Sequence, residues 1–137
     1  MESGVSFAAL DTDTEERFVP LRRMLGVTSF GLNQVILRPG QRGRIHRHRE
    51  QEEVYLVLEG TLTLVIEREV RELGQGELAR VAPEVRRFIA NRGEEDVVLI
   101  ALGGAKEHVG RDGEAFEDWD QEEGRPPQEV PLPPDER

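Results

Sequence analysis

A train of short apolar runs, each closed by glycine or proline, limits what this chain can fold into more than any other feature. The runs fall at residues 27–38, 44–48, 54–58, 61–66, 69–73, 78–81, 85–90 and 97–102. Between them lie Pro39-Gly40, Gly60, Gly74-Gln75-Gly76 and Asn91-Arg92-Gly93, residues that reverse a chain because they adopt turn dihedrals cheaply. Leu62, Leu64 and Ile66 alternate with Thr61, Thr63 and Val65, the period of a strand with one face buried. The run at 54–58 is continuously apolar and reads as a strand covered on both faces. No convincing helical period interrupts the series. Seven or eight short strands imply an all-β, antiparallel sandwich or barrel.

At 137 residues the chain suits one domain and can bury a core without covalent staples; its lack of cysteine rules out disulfides and thiolate ligands. The strand pattern occupies residues 27–105. Residues 1–26 read as an N-terminal extension in which Pro20 stops any helix begun near Thr12. Residues 106–137 read as an acidic, proline-containing C-terminal extension, loosely ordered, with the last ten or so residues disordered. Phe116 and Trp119 are the exception there, an aromatic pair expected to anchor on the barrel or on a partner subunit. The formal charge is −10, and residues 106–137 hold eleven acidic against four basic side chains. Such a tail disfavours nucleic acid and anionic membranes as partners. With neither a leader-like start nor an apolar run of membrane-spanning length, a cytoplasmic protein is expected.

Chemistry concentrates at residues 40–60. His46 and His48 stand two apart in a strand, so both imidazoles project from one face. Glu53 follows where a bend can bring its carboxylate opposite them, with Glu52 as the competitor of opposite parity. Two imidazoles and a carboxylate suit Fe, Mn, Ni or Zn with positions left open for a small molecule. The spacing Gly40-x5-His46-x-His48-x4-Glu53-x6-Gly60 resembles the first motif of the cupin superfamily. That resemblance implies a double-stranded β-helix, or jelly-roll barrel, a metal held by His46, His48 and Glu53, and a homodimer.

Cupins carry a second motif, G-x5-P-x-G-x2-H-x3-N, whose histidine is the fourth ligand. Here Gly76 and Asn91 align, but Ala82 and Glu84 replace the proline and glycine, and Arg87 replaces the histidine. A guanidinium has no lone pair to give a metal. At ~6 Å and an effective dielectric of ~20 it would repel a divalent ion by ~5 kcal/mol. Three outcomes are open. The triad still holds a metal, with Arg87 turned aside or binding an anionic substrate; the metal is gone and the pocket binds a small anion; or Arg87 pairs with Glu53 inside the barrel. A one-residue slip would turn Arg86 inward, with Phe88 and Ala90 replacing Ile89 in the interior.

Tyr55 shares the face of Glu53 and is either core filling or a hydroxyl aimed at substrate. Of Asn33 and Gln34 one must face inward, and Gln34 is the candidate substrate contact. His108 reads as a surface histidine. Function then divides three ways. The first is a metal-dependent enzyme, an oxidoreductase or isomerase acting on a small anionic substrate oriented by Arg87. The second is a metal-free binding or sensing domain. In the third, the acidic tail makes the chain an interaction module.

Overall fold

The computed structural model describes residues 4–105 and 112–136, so His108 lies outside the described residues. Within the described residues ten strands form two layers. The first is a five-stranded antiparallel sheet in the order β1 (Phe18–Val19), β2 (Gly31–Leu37), β9 (Val97–Gly104), β4 (Glu52–Glu59), β7 (Leu78–Val81). The second joins β6 (Glu69–Leu73), β5 (Leu62–Ile66) and β8 (Phe88–Ala90) to the pair β3 (Ile45–His48) and β10 (Gly113–Phe116). Backbone bonds between His46 and Arg87, 2.9 and 3.0 Å, and a bridge from Arg42 to Ala90 stitch that pair to β8. The result is a jelly-roll barrel, all-β apart from short helical turns.

Alternate residues of each strand fill the space between the layers. Val35, Leu37, Tyr55, Val57, Val97, Leu99 and Ala101 from one sheet meet Leu62, Leu64 and Ile89 from the other. Burying each such aliphatic side chain contributes on the order of 1.5–3 kcal/mol. Gly60 turns β4 into β5 at φ 79°, and a Cβ there would strike the backbone carbonyl of Asp96. No other residue fits that approach.

Two strands come from the segments outside 27–105. β1 pairs with β2, and β10 pairs with β3 so that Phe116 lies opposite Ile45. Pro20 also opens a helical turn, α1 (Leu21–Leu25), which ends at Gly26 in the left-handed region with its N–H on the Arg22 carbonyl.

The aromatic pair packs as an anchor on the barrel's outer face. Phe116 is 1% exposed in a cluster with Ile45, Val65, Phe88 and Ala90, and Trp119 packs against it. The disorder expected of the last residues gives way to a strap held by arginines. Arg44 Nε donates to the Val130 carbonyl at 2.6 Å, Arg92 pairs with Glu136 at 3.1 Å, and the Glu136 N–H reaches the Gly40 carbonyl at 2.9 Å. Composition suggested disorder because the segment has few apolar residues; Val130, 2% exposed, together with these charge-assisted bonds is enough to seat it. No helix among the described residues is long and apolar enough to cross a membrane.

Candidate metal centre and its two chambers

Strand parity assembles the site. In β3, Ile45 turns outward to Phe116 while His46 and His48 turn inward, their rings 5.3 Å apart and perpendicular. β4 presents Glu53, Tyr55 and Val57 to the interior. Glu52 faces out and pairs with Arg80 at 2.6 Å, which settles its competition with Glu53 by one residue of parity. Ligand atoms of His46, His48 and Glu53 lie within 4.8 Å of one another.

The outer nitrogens of both imidazoles are spoken for. His48 Nδ1 is 2.9 Å from Asp112 Oδ1, and His46 Nδ1 is 3.2 Å from the Arg44 carbonyl. Both partners only accept, so each Nδ1 carries a proton; Nε2 then either donates toward Glu53 as part of an imidazolium or, deprotonated, offers a lone pair to an ion. His46 Nε2 stands 3.3 Å from Glu53 Oε1, and His48 Nε2 stands 3.9 Å from Glu53 Oε2. Between these nitrogens and the carboxylate there is a place for a proton or for a cation. A divalent ion suits that place, and the donors fit one.

Asp112 is the residue that sequence reasoning missed. It is 5% exposed and takes the N–H groups of Glu50 and Gln51 on Oδ2, both at 2.9 Å, and the Gln51 amide on Oδ1 at 2.8 Å. Burial would raise its carboxyl, but those N–H bonds and His48 outweigh burial and hold it below the usual range. His48 itself is lowered, chiefly by burial, against the pull of Glu53 and Asp112.

Arg87 points inward and is fully buried. Its Nη2 donates to Glu53 Oε1 at 2.8 Å, Nη1 to the Val85 carbonyl at 2.8 Å, and Nε lies 3.4 Å from the Tyr55 hydroxyl. The Tyr55 hydroxyl donates to the same Glu53 oxygen at 2.5 Å. Burial would raise the Glu53 carboxyl, yet His46, Arg87 and His48 outweigh it and keep it well below the usual carboxylate range. Burial, then the Glu53 charge, pushes the Tyr55 phenol up. Arg86 faces out, over the Phe116 ring at 3.8 Å, and donates to the Gln121 carbonyl at 2.6 Å. Parity therefore places Ile89 inside and leaves Phe88 and Ala90 beneath the C-terminal strap.

Arg87, Tyr55 and Gln34, the expected substrate contacts, each hold a partner within the protein. Arg87 reaches Glu53 and lines neither cavity, because its guanidinium is enclosed by its own partners. Tyr55 lines the inner cavity, but its hydroxyl is committed to Glu53. Gln34 points away: its amide brackets the backbone N–H and carbonyl of Asp11, both at 2.7 Å, and Asn33 faces the cavity instead.

The triad lies where two cavities share a wall, with Asn33, His48, Glu53 and Pro127 bordering both. The inner one, about 180 Å³, is lined by Val35, Ile89, Ala101, Phe18 and Tyr55. Its size is comparable to an apolar cavity of about 150 Å³ that takes benzene. The outer one, about 660 Å³, has a mixed polar and apolar lining and runs between α1 and the Gly124–Glu129 stretch of the C-terminal strap.

A fold of this kind is shared widely among solved structures. The cupin domain family matches residues 33–103, just over half of the chain, and the protein belongs to that family. A cupin protein from Bacteroides fragilis superposes with a TM-score of 0.68 at 22% identity, over 80% of this chain and 90% of that one. A cupin-superfamily sugar phosphate isomerase from Silicibacter pomeroyi gives 0.64 at 25% identity, over 74% and 65%. The cupin domain of an XRE family transcriptional regulator from Enterobacter cloacae gives 0.59 at 23% identity, over 67% and 100%. No curated protein sequence matches the chain significantly.

Proposed function

We propose that the chain is a metal-dependent enzyme of small-molecule metabolism, isomerising or oxidising a small anionic substrate, with His46, His48 and Glu53 as metal ligands. One observation carries this reading: both Nε2 atoms are aimed at Glu53, and each ring is held from behind through Nδ1. A bound Fe, Mn, Ni or Zn ion would act as a Lewis acid or redox centre with coordination positions open to the cavities. Arg87 and Tyr55 hold Glu53 Oε1, so Oε2 is the oxygen left for the metal. Asp112 keeps His48 in its ligating tautomer. Arg87, paired with Glu53, offsets the carboxylate charge, so binding is weaker than at a site with a third imidazole. The sugar phosphate isomerase neighbour favours the isomerising branch. A cytoplasmic homodimer belongs to the same proposal.

The rival reading is a metal-free sensing domain. The Arg87–Glu53 ion pair favours it, since a guanidinium already satisfies the one acidic ligand. Metal analysis of protein purified without chelator, beside His46→Ala and His48→Ala, separates the two. A stoichiometric transition metal lost in both variants supports the enzyme; protein that binds none, even when offered each ion, leaves the sensing domain.

A further inference from the structure

Arg22 and Arg23 lie in the last turn of α1 and both line the outer cavity that reaches His48 and Glu53. Every other arginine on that wall has an acid. Arg49 reaches Glu114 at 4.0 Å, and Arg125 pairs with Glu117. Among the described residues neither Arg22 nor Arg23 has a carboxylate partner, and the Arg22 Nε is buried with no hydrogen bond at all. A buried guanidinium donor left unmade costs stability and is tolerated where a ligand completes it.

The wall's acids are otherwise engaged. Glu53 is bound by Arg87, Asp112 by His48 and backbone N–H groups, and Glu114 by Arg47 at 2.9 Å. Only the exposed Glu129 stands there without a side-chain partner among the described residues. Among the described residues Arg22 and Arg23 are thus the two guanidinium groups on this wall without a carboxylate partner, although the whole chain carries −10. Guanidinium forks match the paired oxygens of phosphate and carboxylate groups.

We propose that Arg22 and Arg23 form an oxyanion subsite at the mouth, holding the phosphate or carboxylate group of a ligand whose other end reaches the His46–His48–Glu53 centre. It is the anion-binding role that the sequence suggested for Arg87. It rests on the cavity taking a small anionic ligand, as proposed above, but not on a metal being bound.

Calorimetric titration of the full chain with inorganic phosphate, and separately with acetate, tests the subsite in metal-loaded and chelated protein. Saturable binding of one of these anions is expected in both states, and the stronger one identifies the group. Arg22→Gln/Arg23→Gln should weaken it by ~10-fold or more. Arg22→Lys should keep part of it, and Arg71→Gln, on β6 and away from the cavity, should change nothing. Metal content should be the same in all variants. Loss of anion binding in the double variant supports the subsite even if no metal is ever found. The proposal is overturned if neither anion binds, if the double variant binds like the parent, if metal content falls along with anion affinity, or if binding needs the metal and ignores the arginines.

Discussion

Arg87 Nη2 and Glu53 Oε1 are 2.8 Å apart inside the barrel, and the Tyr55 hydroxyl lies 2.5 Å from the same oxygen. The pair fixes one oxygen of the candidate metal ligand and leaves the other facing His48. Its charges are mutually dependent, because Arg87 is fully buried and Glu53 largely so. Arg87→Met should therefore destabilise the protein by about 3–5 kcal/mol. Glu53→Gln/Arg87→Met should cost less than the two single changes together. Urea unfolding of the four proteins measures the coupling, and simple additivity would show that the contact contributes nothing.

Acid should weaken the metal-free protein in two steps. Glu53 is depressed in the folded state, so its contribution is complete above the unfolded carboxyl value of ~4.3 and is lost as pH falls toward the folded one. His48 is also lowered; the unfolded chain takes up its proton first below ~6.5, and a further part of the stability goes there. Urea midpoints in chelator across this range should fall in both windows. Glu53→Gln should flatten the lower window and His48→Gln the upper.

Asp112→Asn exchanges an all-acceptor carboxylate for an amide that must turn its NH2 either toward His48 or toward the N–H groups of Glu50 and Gln51. Either orientation sets donor against donor. Metal affinity should fall by ~10–100-fold, with His46 and His48 still in place. Competition against a calibrated chelator reads this directly. An unchanged affinity would mean that Asp112 does not orient the ring.

The C-terminal segment is structural material for the barrel. Phe116→Ala should cost about 3–5 kcal/mol, because the ring is buried against Ile45, Val65, Phe88 and Ala90. Ending the chain at residue 111 removes β10 and uncovers that face, so the truncated protein should melt lower and bind a hydrophobic dye. A truncated chain with native stability would revive the reading in which the tail acts as a separate interaction module.

Legibility of the sequence tracked the strength of its periodicity. The strands β5, β6 and β7 lie where alternation and glycine turns put them, and the inward face of β3 follows from two histidines in register. Parity was harder where two polar residues adjoin. Asn33 and Gln34 offer the same chemistry, and only the core positions of Val35 and Leu37 show which one turns in. Arg86 and Arg87 posed the same problem, resolved by Ile89 packing inside and Phe88 outside. Asp112 gave no signal because its partner His48 is 64 residues away and its neighbours look like tail. The strap leaves no local signal because its hold comes from arginines scattered over the barrel, which no local composition reveals.

The claim on which the rest depends is that His46, His48 and Glu53 converge on one ion. Crystals of the full chain grown with Mn²⁺ or Ni²⁺ and measured at that metal's absorption edge test it. The account predicts a single strong anomalous peak at about 2.0–2.2 Å from both Nε2 atoms and Glu53 Oε2, with Arg87 still on Oε1. A barrel with no peak there, and the Arg87–Glu53 pair undisturbed in the presence of excess metal, would contradict it.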